Sequence, residues 1–264
     1  MEQNTFLSLT LKHFVIIGII IALVSGCSMT QKVMDPVIPP ERPAGEIVTN
    51  DAPHLIDVYD PLGGFNRRMY FFNAKFDRYV FLPLVNAYTS VTPDIVQTGV
   101  SNFFSNLDEF KTLASSLLQA KGRKAATTTA RIVINTTIGI GGLLDPATAW
   151  SIIRKEEDFG QTLGFYHVPP GPYLVLPLVG PSTVRDAFGL VFDRTIYNAG
   201  VNALINGADL HSRDEDILRT TLIVLEAVDR RYRLDFRYYQ TGSPFEYELV
   251  RLLYLEKRSL DIQK

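Results

Sequence analysis

The sequence predicts a mainly α-helical body, built of amphipathic helices joined by irregular Gly/Pro-rich loops. Two observations carry this: apolar side chains recur at helical spacing in one segment after another, and glycine or proline punctuates the chain between them. A third excludes a solenoid, because no self-similar period of about 20 to 50 residues runs through the chain.

The first element is an apolar run. Residues 14–29 read FVIIGIIIALVSGCSM and contain Cys27, the sole cysteine. From Phe14 to Val24 the run has the length of a secretory h-region and falls short of the roughly 20 residues that cross a bilayer. Lys12 and His13 form a weakly basic n-region, and Ser25-Gly26 supply small residues before a cleavage point. Cys27 is open to four readings: a core cysteine, a nucleophile, half of a disulfide, or a handle exposed by processing. One cysteine cannot pair within its own chain, and a nucleophile needs a partnered base in a folded pocket. Val24-Ser25-Gly26-Cys27 resembles a bacterial lipobox, in which the thiol is alkylated by diacylglycerol, the chain is cut before the cysteine and the new amine is acylated. The competing reading is an ordinary signal peptide with an incidental cysteine. Buried methylenes contribute about 0.8 kcal/mol each, and two or more chains hold firmly where one binds marginally. Ser28 follows where lipoproteins kept in the inner membrane have Asp, so the expected location is the outer membrane, with the body on its periplasmic side.

Three regions follow: a signal peptide at 1–26, the lipidated cysteine with a Pro-rich tether at 27–56, and one helical domain at 57–264. Pro36, Pro39, Pro40, Pro43 and Pro53 mark the tether, which extends at about 3.1 Å per residue. A formal net charge of −2 provides no basic field for nucleic acid. Lipidation of Cys27 leaves no free thiol, in keeping with an oxidising periplasm. The 16 Phe and 12 Tyr against one Trp favour extensive interfacial or core aromatic surface.

In the body, Asp60-Pro61 reads as an N-cap with proline at the first helical position. Phe65, Met69, Phe72, Phe76 and Tyr79 form one stripe of the helix that follows, and Arg67, Asn73, Lys75 and Arg78 lie opposite. A core-facing helix and an interfacial helix at headgroup level both fit that pattern. Thr92-Pro93 opens a second helix through DIVQTGVSNFFSNL, DEFKTLASSLLQA reads as another, and Gly122 breaks it before RKAATTTARIVINTTIG. The loop GIGGLLDPATAW follows, where Gly139, Gly141 and Gly142 are candidates for a hinge or gate and Asp145-Pro146 caps a short helix. Residues 160–180 read as irregular with short extended pieces. Ser182 then caps a helix whose apolar face is Val184, Ala187, Phe188, Val191 and Phe192, opposed by Arg185, Asp186 and Arg194. Ile217 to Tyr232 keeps helical spacing, and a last helix begins near Pro244.

Catalytic signatures are missing. GVSNF and GPSTV lack the second glycine of a nucleophile elbow, and GIGG is too short for a nucleotide fingerprint. His13, His54, His167 and His211 lie far apart, so neither a metal nor another cofactor is expected. The acidic runs Glu156-Glu157-Asp158 and RDED at 213–216 read as solvated helix ends rather than general acids. No enzyme activity is expected.

The motifs DPLGGFNRRMYFFN, GVSNF, NTTIGIGGLLDPA, EEDFGQTLGFYHVPPGPYLVLPLVGPSTVRD and SPFEYELVRLLYLEKR occur in an order that resembles the MlaA (VacJ) family over roughly residues 57–258. His167-Val168-Pro169-Pro170 departs from a glycine-richer turn, and the terminal motif holds two extra residues between Pro244 and Arg251. The resemblance implies a ring-like bundle of helices in the inner leaflet of the outer membrane around an amphipathic channel. It implies removal of mislocalised phospholipids from the outer leaflet, transfer to the periplasmic carrier MlaC, and work beside trimeric porins. Phe65, Asn66, Arg67, Arg68, Phe72 and Asn73 are the candidate membrane-interface or headgroup contacts. An envelope scaffold bound to porins and a lipid-acting hydrolase are the competing functions.

Overall fold

Pro61 and the aromatic stretch behind it start a nearly unbroken helical rod: α1 at Gly63–Phe76, a π-helical segment at Asp77–Phe81 and α2 at Leu82–Val91. The widened turn has a local cause. Pro83 has no N–H, and its ring would crowd the carbonyl one turn back, so the helix opens just before it. Thr92 ends the rod in extended conformation because Pro93 disfavours helix at the residue before it. The computed structural model describes residues 60–207 and 212–264. Cys27, the signal peptide and the tether lie outside the described residues.

α3 spans Asp94–Leu118 as one helix where the sequence pattern suggested two. The apparent break falls at Asn106, Asp108 and Glu109, which interrupt the apolar period yet are buried in the structure. α4 covers Gly122–Thr137 and α5 covers Pro146–Ala149, where the Asp145 carboxylate accepts from the Thr148 N–H as expected of the Asp-Pro pair. α6, Phe159–Phe165, is a helix inside the stretch expected to be irregular. Asp158 caps it by accepting from the Gln161 N–H at 2.8 Å. The extended pieces form one antiparallel hairpin, β1 at Tyr173–Leu176 and β2 at Gly180–Thr183, with Tyr173 opposite Thr183 and Leu176 opposite Gly180. α7 then runs Val184–Gly207, α8 Ser212–Tyr232 and α9 Glu246–Gln263. The cap of α7 is one residue later than expected: Thr183 Oγ1 accepts from the Asp186 N–H at 3.2 Å.

Contacts between these elements close on themselves. α1 meets the hairpin, the hairpin meets α9, and α9 meets α6. α6 packs on α7, α7 and α8 on α3, α8 on α2, and α2 returns to α1 through the π-helical segment. The mainly α-helical architecture is a ring-like bundle of amphipathic helices. α4 and α5 join it beside α3.

What the ring buries is unusual for a folded domain. Phe104, Leu107, Tyr197, Val201 and Ile205 form one apolar cluster, and Tyr70, Tyr173, Val175 and Tyr247 form another that is mostly tyrosine. Buried polar and charged side chains outnumber buried apolar ones among the described residues, while Ile95, Phe188, Val191 and Ile153 are each about 70% exposed or more. An exterior of that kind calls for an apolar surrounding, because a water-soluble fold turns these groups inward. Among the described residues no helix is long and apolar enough to cross a membrane.

Candidate functional site

α1 shows how the inversion is made. Phe65, Phe72 and Tyr79 of the predicted stripe are exposed, and Met69 and Phe76 are half-buried. The inward face is Asn66, Tyr70, Asn73 and Asp77, at helical spacing and mostly polar. Each inward group has a partner that explains it. Asn66 donates to Asp60 Oδ1 at 2.9 Å and to the Tyr173 carbonyl at 3.0 Å, and accepts from the Val175 N–H at 2.8 Å. Asn73 donates to the Leu176 carbonyl at 2.9 Å and accepts from the Leu178 N–H at 2.7 Å. The two amides pair with hairpin backbone as a neighbouring strand would. Asn66 and Asn73, named above as candidate headgroup contacts, are both buried and take their partners from the hairpin, because α1 lies along the edge of β1 that β2 leaves open.

The remaining candidates on α1 face outward. Arg67 pairs with Glu248 at 2.6 Å and lies over the Tyr247 ring at 4.6 Å, while Arg68 is exposed with no partner among the described residues. Lys75 sits over Phe71 and Arg78 over Tyr79. Such cations beside outward aromatics keep their stems on apolar surface and their charges at its polar edge. Asp60, expected as a side-chain cap, instead pairs with Arg251 at 3.0 Å and accepts from Asn66.

Ion pairs at intervals around the ring hold the polar interior. Arg131 of α4 is the most heavily engaged. Its Nε donates to Glu109 at 2.6 Å, and its guanidinium also reaches the Ile152 carbonyl at 2.5 Å and Asp145 at 3.2 Å. Arg258 of α9 binds Asp158 at 2.7 Å and Asp186 at 3.0 Å, tying the starts of α6 and α7 together. Burial pushes the Asp158 and Asp186 carboxyls up, but Arg258 more than offsets it and holds both below the usual range. Arg231 of α8 grips Asp77 and donates to the Phe236 carbonyl at 3.1 Å. Glu157 receives Lys121 at 3.1 Å, Lys124, and Gln119 at 3.0 Å. The acidic run Glu156-Glu157-Asp158 is thus split, with Glu156 exposed, Glu157 buried in one cluster and Asp158 half-buried in another. The same inversion holds on α7, where Arg185 and Asp186 are buried and Phe188 and Val191 face out.

Asp193, like Glu246, is a buried carboxylate with no ion-pair partner among the described residues. It accepts from the Phe159 N–H at 3.1 Å. Burial, then the nearby Asp158 charge, raises its pKa to about 7, with Lys111 and Arg258 counteracting from further off. A carboxyl whose folded pKa lies above its unfolded value contributes stability that is complete below the unfolded value and lost as pH rises through the folded one. Asp193→Asn keeps the acceptor for Phe159 and removes the charge. At pH 8 the variant should resist unfolding by roughly 1–3 kcal/mol more than the parent, with the difference vanishing near pH 4. Urea titrations at the two pH values read this out, and equal stability at pH 8 would contradict the assignment.

The Gly139 to Gly142 turn is held by its own backbone, with Gly142 donating to the Asn135 carbonyl at 2.8 Å and Leu144 to Gly139 at 2.9 Å. The glycines have distinct reasons. A Cβ at Gly139 would meet two backbone carbonyls; Gly142 has φ +93 and would press on Asn106; Gly141 has φ +69 but faces open space. Gly141→Ala should therefore cost only the left-handed backbone, about 1–2 kcal/mol, and Gly142→Ala at least about twice that. Ile138, Ile140, Leu143 and Leu144 of the same turn are exposed, so the turn adds an apolar tip to the exterior.

Comparison with known proteins agrees with this architecture. The MlaA lipoprotein family model matches residues 58–261. An uncharacterised protein of Rickettsia prowazekii is 34% identical over 209 residues, covering 79% of this chain and 80% of its own. The intermembrane phospholipid transport system lipoprotein MlaA of Escherichia coli is 38% identical over 138 residues, 51% of this chain and 55% of its own; that of Haemophilus influenzae is 35% identical over 147, covering 54% and 59%. A solved structure, from work on the structural basis for maintenance of bacterial outer membrane lipid asymmetry, superposes with TM-score 0.62 at 30% identity. It covers 78% of this chain and is itself fully covered.

Proposed function

The chain belongs to the MlaA lipoprotein family, and from that premise we propose that it draws mislocalised phospholipids out of the outer leaflet of the outer membrane and passes them to a soluble periplasmic carrier. The observation that carries the reading is the inversion: aromatic and aliphatic side chains outside, ion pairs and amides inside, and no spanning helix among the described residues. A ring immersed in one leaflet needs such an exterior to sit in lipid. It also needs polar groups within for headgroups, which an apolar core would exclude. Acylated Cys27 would hold the ring in the inner leaflet of the outer membrane, beside trimeric porins, with MlaC as the receiving carrier. The protein would act as a passive conduit and not as an enzyme, supplying a sheltered path for lipid whose tails otherwise cost about 0.8 kcal/mol per exposed methylene. The turn at Gly139 to Gly142, with its apolar tip, would gate that path.

The test is lipid transfer from outer-membrane-like vesicles carrying the lipidated protein to purified carrier. Intact phospholipid on the carrier is the expected result, reduced when Cys27 is replaced by alanine. A carrier that stays empty, with no phospholipid co-purifying with the protein, would favour a porin scaffold. Release of lysophospholipid would indicate a hydrolase.

A further inference from the structure

Between α3, α7 and α8 lies a cavity of about 180 Å³ with two unlike walls. Phe104 and Leu107 form part of its apolar side; Arg194, Tyr197, Arg219 and Glu226 line the polar side. Its charges do not cancel. Glu226 pairs with Arg194 at 2.6 Å and with Arg230 at 2.9 Å, so its charge is already matched. Arg219 has only the Asn202 side-chain oxygen as a partner, and no carboxylate lies within ion-pairing distance of it among the described residues. One cation is therefore left over at the cavity. The Tyr197 hydroxyl is a second polar group on this wall: it is buried and makes no hydrogen bond of ordinary geometry among the described residues, and after burial itself the nearby Glu226 carboxylate is what raises its pKa. A buried hydroxyl without a well-formed hydrogen bond is costly, and Glu226 is already held by two arginines, so an acceptor in the cavity can take the hydrogen bond of the Tyr197 hydroxyl.

We propose that this cavity binds the phosphodiester of a phospholipid headgroup, with Arg219 as its charge partner and the Tyr197 hydroxyl as a second donor. The inference rests on the lipid-transport reading and gives it a place in the chain. Size limits what enters. A cavity of about 150 Å³ accepts a benzene-sized molecule, so a phosphate with its adjoining glycerol carbons fits and two acyl chains do not. The tails have somewhere to go: Ile223 lines the cavity and is itself 53% exposed, which joins the site to the apolar exterior. A monoanion matches one uncompensated arginine, and guanidinium suits phosphate oxygens through paired N–H donors.

The test uses the full lipidated protein in detergent, titrated with short-chain phosphatidylglycerol and followed by native mass spectrometry. Arg219→Gln retains a donor for Asn202 and should weaken binding about tenfold, the scale of one charge-assisted contact; Tyr197→Phe should weaken it by a few-fold. Arg123→Gln, on the exposed face of α4 and away from the cavity, should leave it unchanged. Diacylglycerol, which lacks the phosphate, should bind weakly and identically to the parent and to Arg219→Gln. Affinities equal to the parent's for both Arg219→Gln and Tyr197→Phe, with melting temperatures unaltered, would overturn the site. Displacement of the lipid by an equal concentration of inorganic phosphate would make it a free-phosphate site and overturn the lipid assignment. The two readings separate cleanly, because transfer to the carrier that persists while Arg219→Gln binds normally sinks the site alone. Arg219-dependent binding with no transfer sinks the transport reading alone.

Discussion

Arg131→Met should lower the unfolding free energy by about 3–5 kcal/mol, the largest loss expected from any single substitution in the ring. Arg131 is buried, and removing its charge leaves Glu109, fully buried on α3, without its closest cation. Arg154 is the nearest alternative at 3.7 Å and is shared with Asp108. Asp145 also loses a partner, although Asn135 at 2.9 Å and the Thr148 N–H at 3.0 Å still hold it. The loss is one of stranded charge and not of attraction, so Arg131→Met combined with Glu109→Met should recover most of it, to within about 1–2 kcal/mol of the parent. Urea unfolding of both single variants and the double variant in detergent completes the cycle. A loss below about 1 kcal/mol for Arg131→Met would put the pair in the class of exposed salt bridges and contradict a dry polar interior.

Phe188→Glu together with Val191→Glu should do the reverse, sparing the fold and abolishing membrane association. Both side chains project from α7 with most of their surface exposed and no part in either apolar cluster. Substitution at such sites usually shifts stability by no more than about 0.5 kcal/mol. In lipid the same side chains contribute about 1.5–3 kcal/mol each, so losing both should reduce partition into vesicles by roughly 10² to 10⁴-fold. Flotation of the unlipidated body with vesicles measures this directly. Unchanged partition would mean that this part of α7 faces water or a protein partner.

These two results bear on what was legible in the chain. The helices and most of their limits were readable, because spacing and the Asp-Pro and Gly signals are local. The direction each helix faces was not. Periodicity reports that Phe65, Phe72 and Tyr79 share a stripe, or that Val184, Ala187, Phe188 and Val191 do, but not what covers it. In water that stripe would turn inward; here the side with Asn66, Asn73 and Asp77, or with Arg185 and Asp186, does so. The pattern across the single helix Asp94–Leu118 reads as two helices for the same reason, since Asp108 and Glu109 resemble a solvated turn in sequence, whereas in the fold Arg131, Arg154 and Arg230 surround them. Those pairs join distant segments, and no local pattern announces them. A polar stripe at helical spacing, Asn66-Tyr70-Asn73-Asp77, was the one available sign of a polar interior. Gly142 shows the same limit, as its need for glycine comes from Asn106 on another helix.

Trp150 provides the most direct measurement of the central claim, that the apolar exterior of this ring lies in lipid. It is the sole tryptophan of the chain, 55% exposed, beside the outward Ile153 and following the apolar turn of Leu143 and Leu144. Its fluorescence in vesicles should shift to the blue, be quenched by phospholipids brominated on their acyl chains, and be shielded from iodide in water. Emission that keeps its aqueous wavelength, responds to iodide and ignores the brominated lipids would contradict the account.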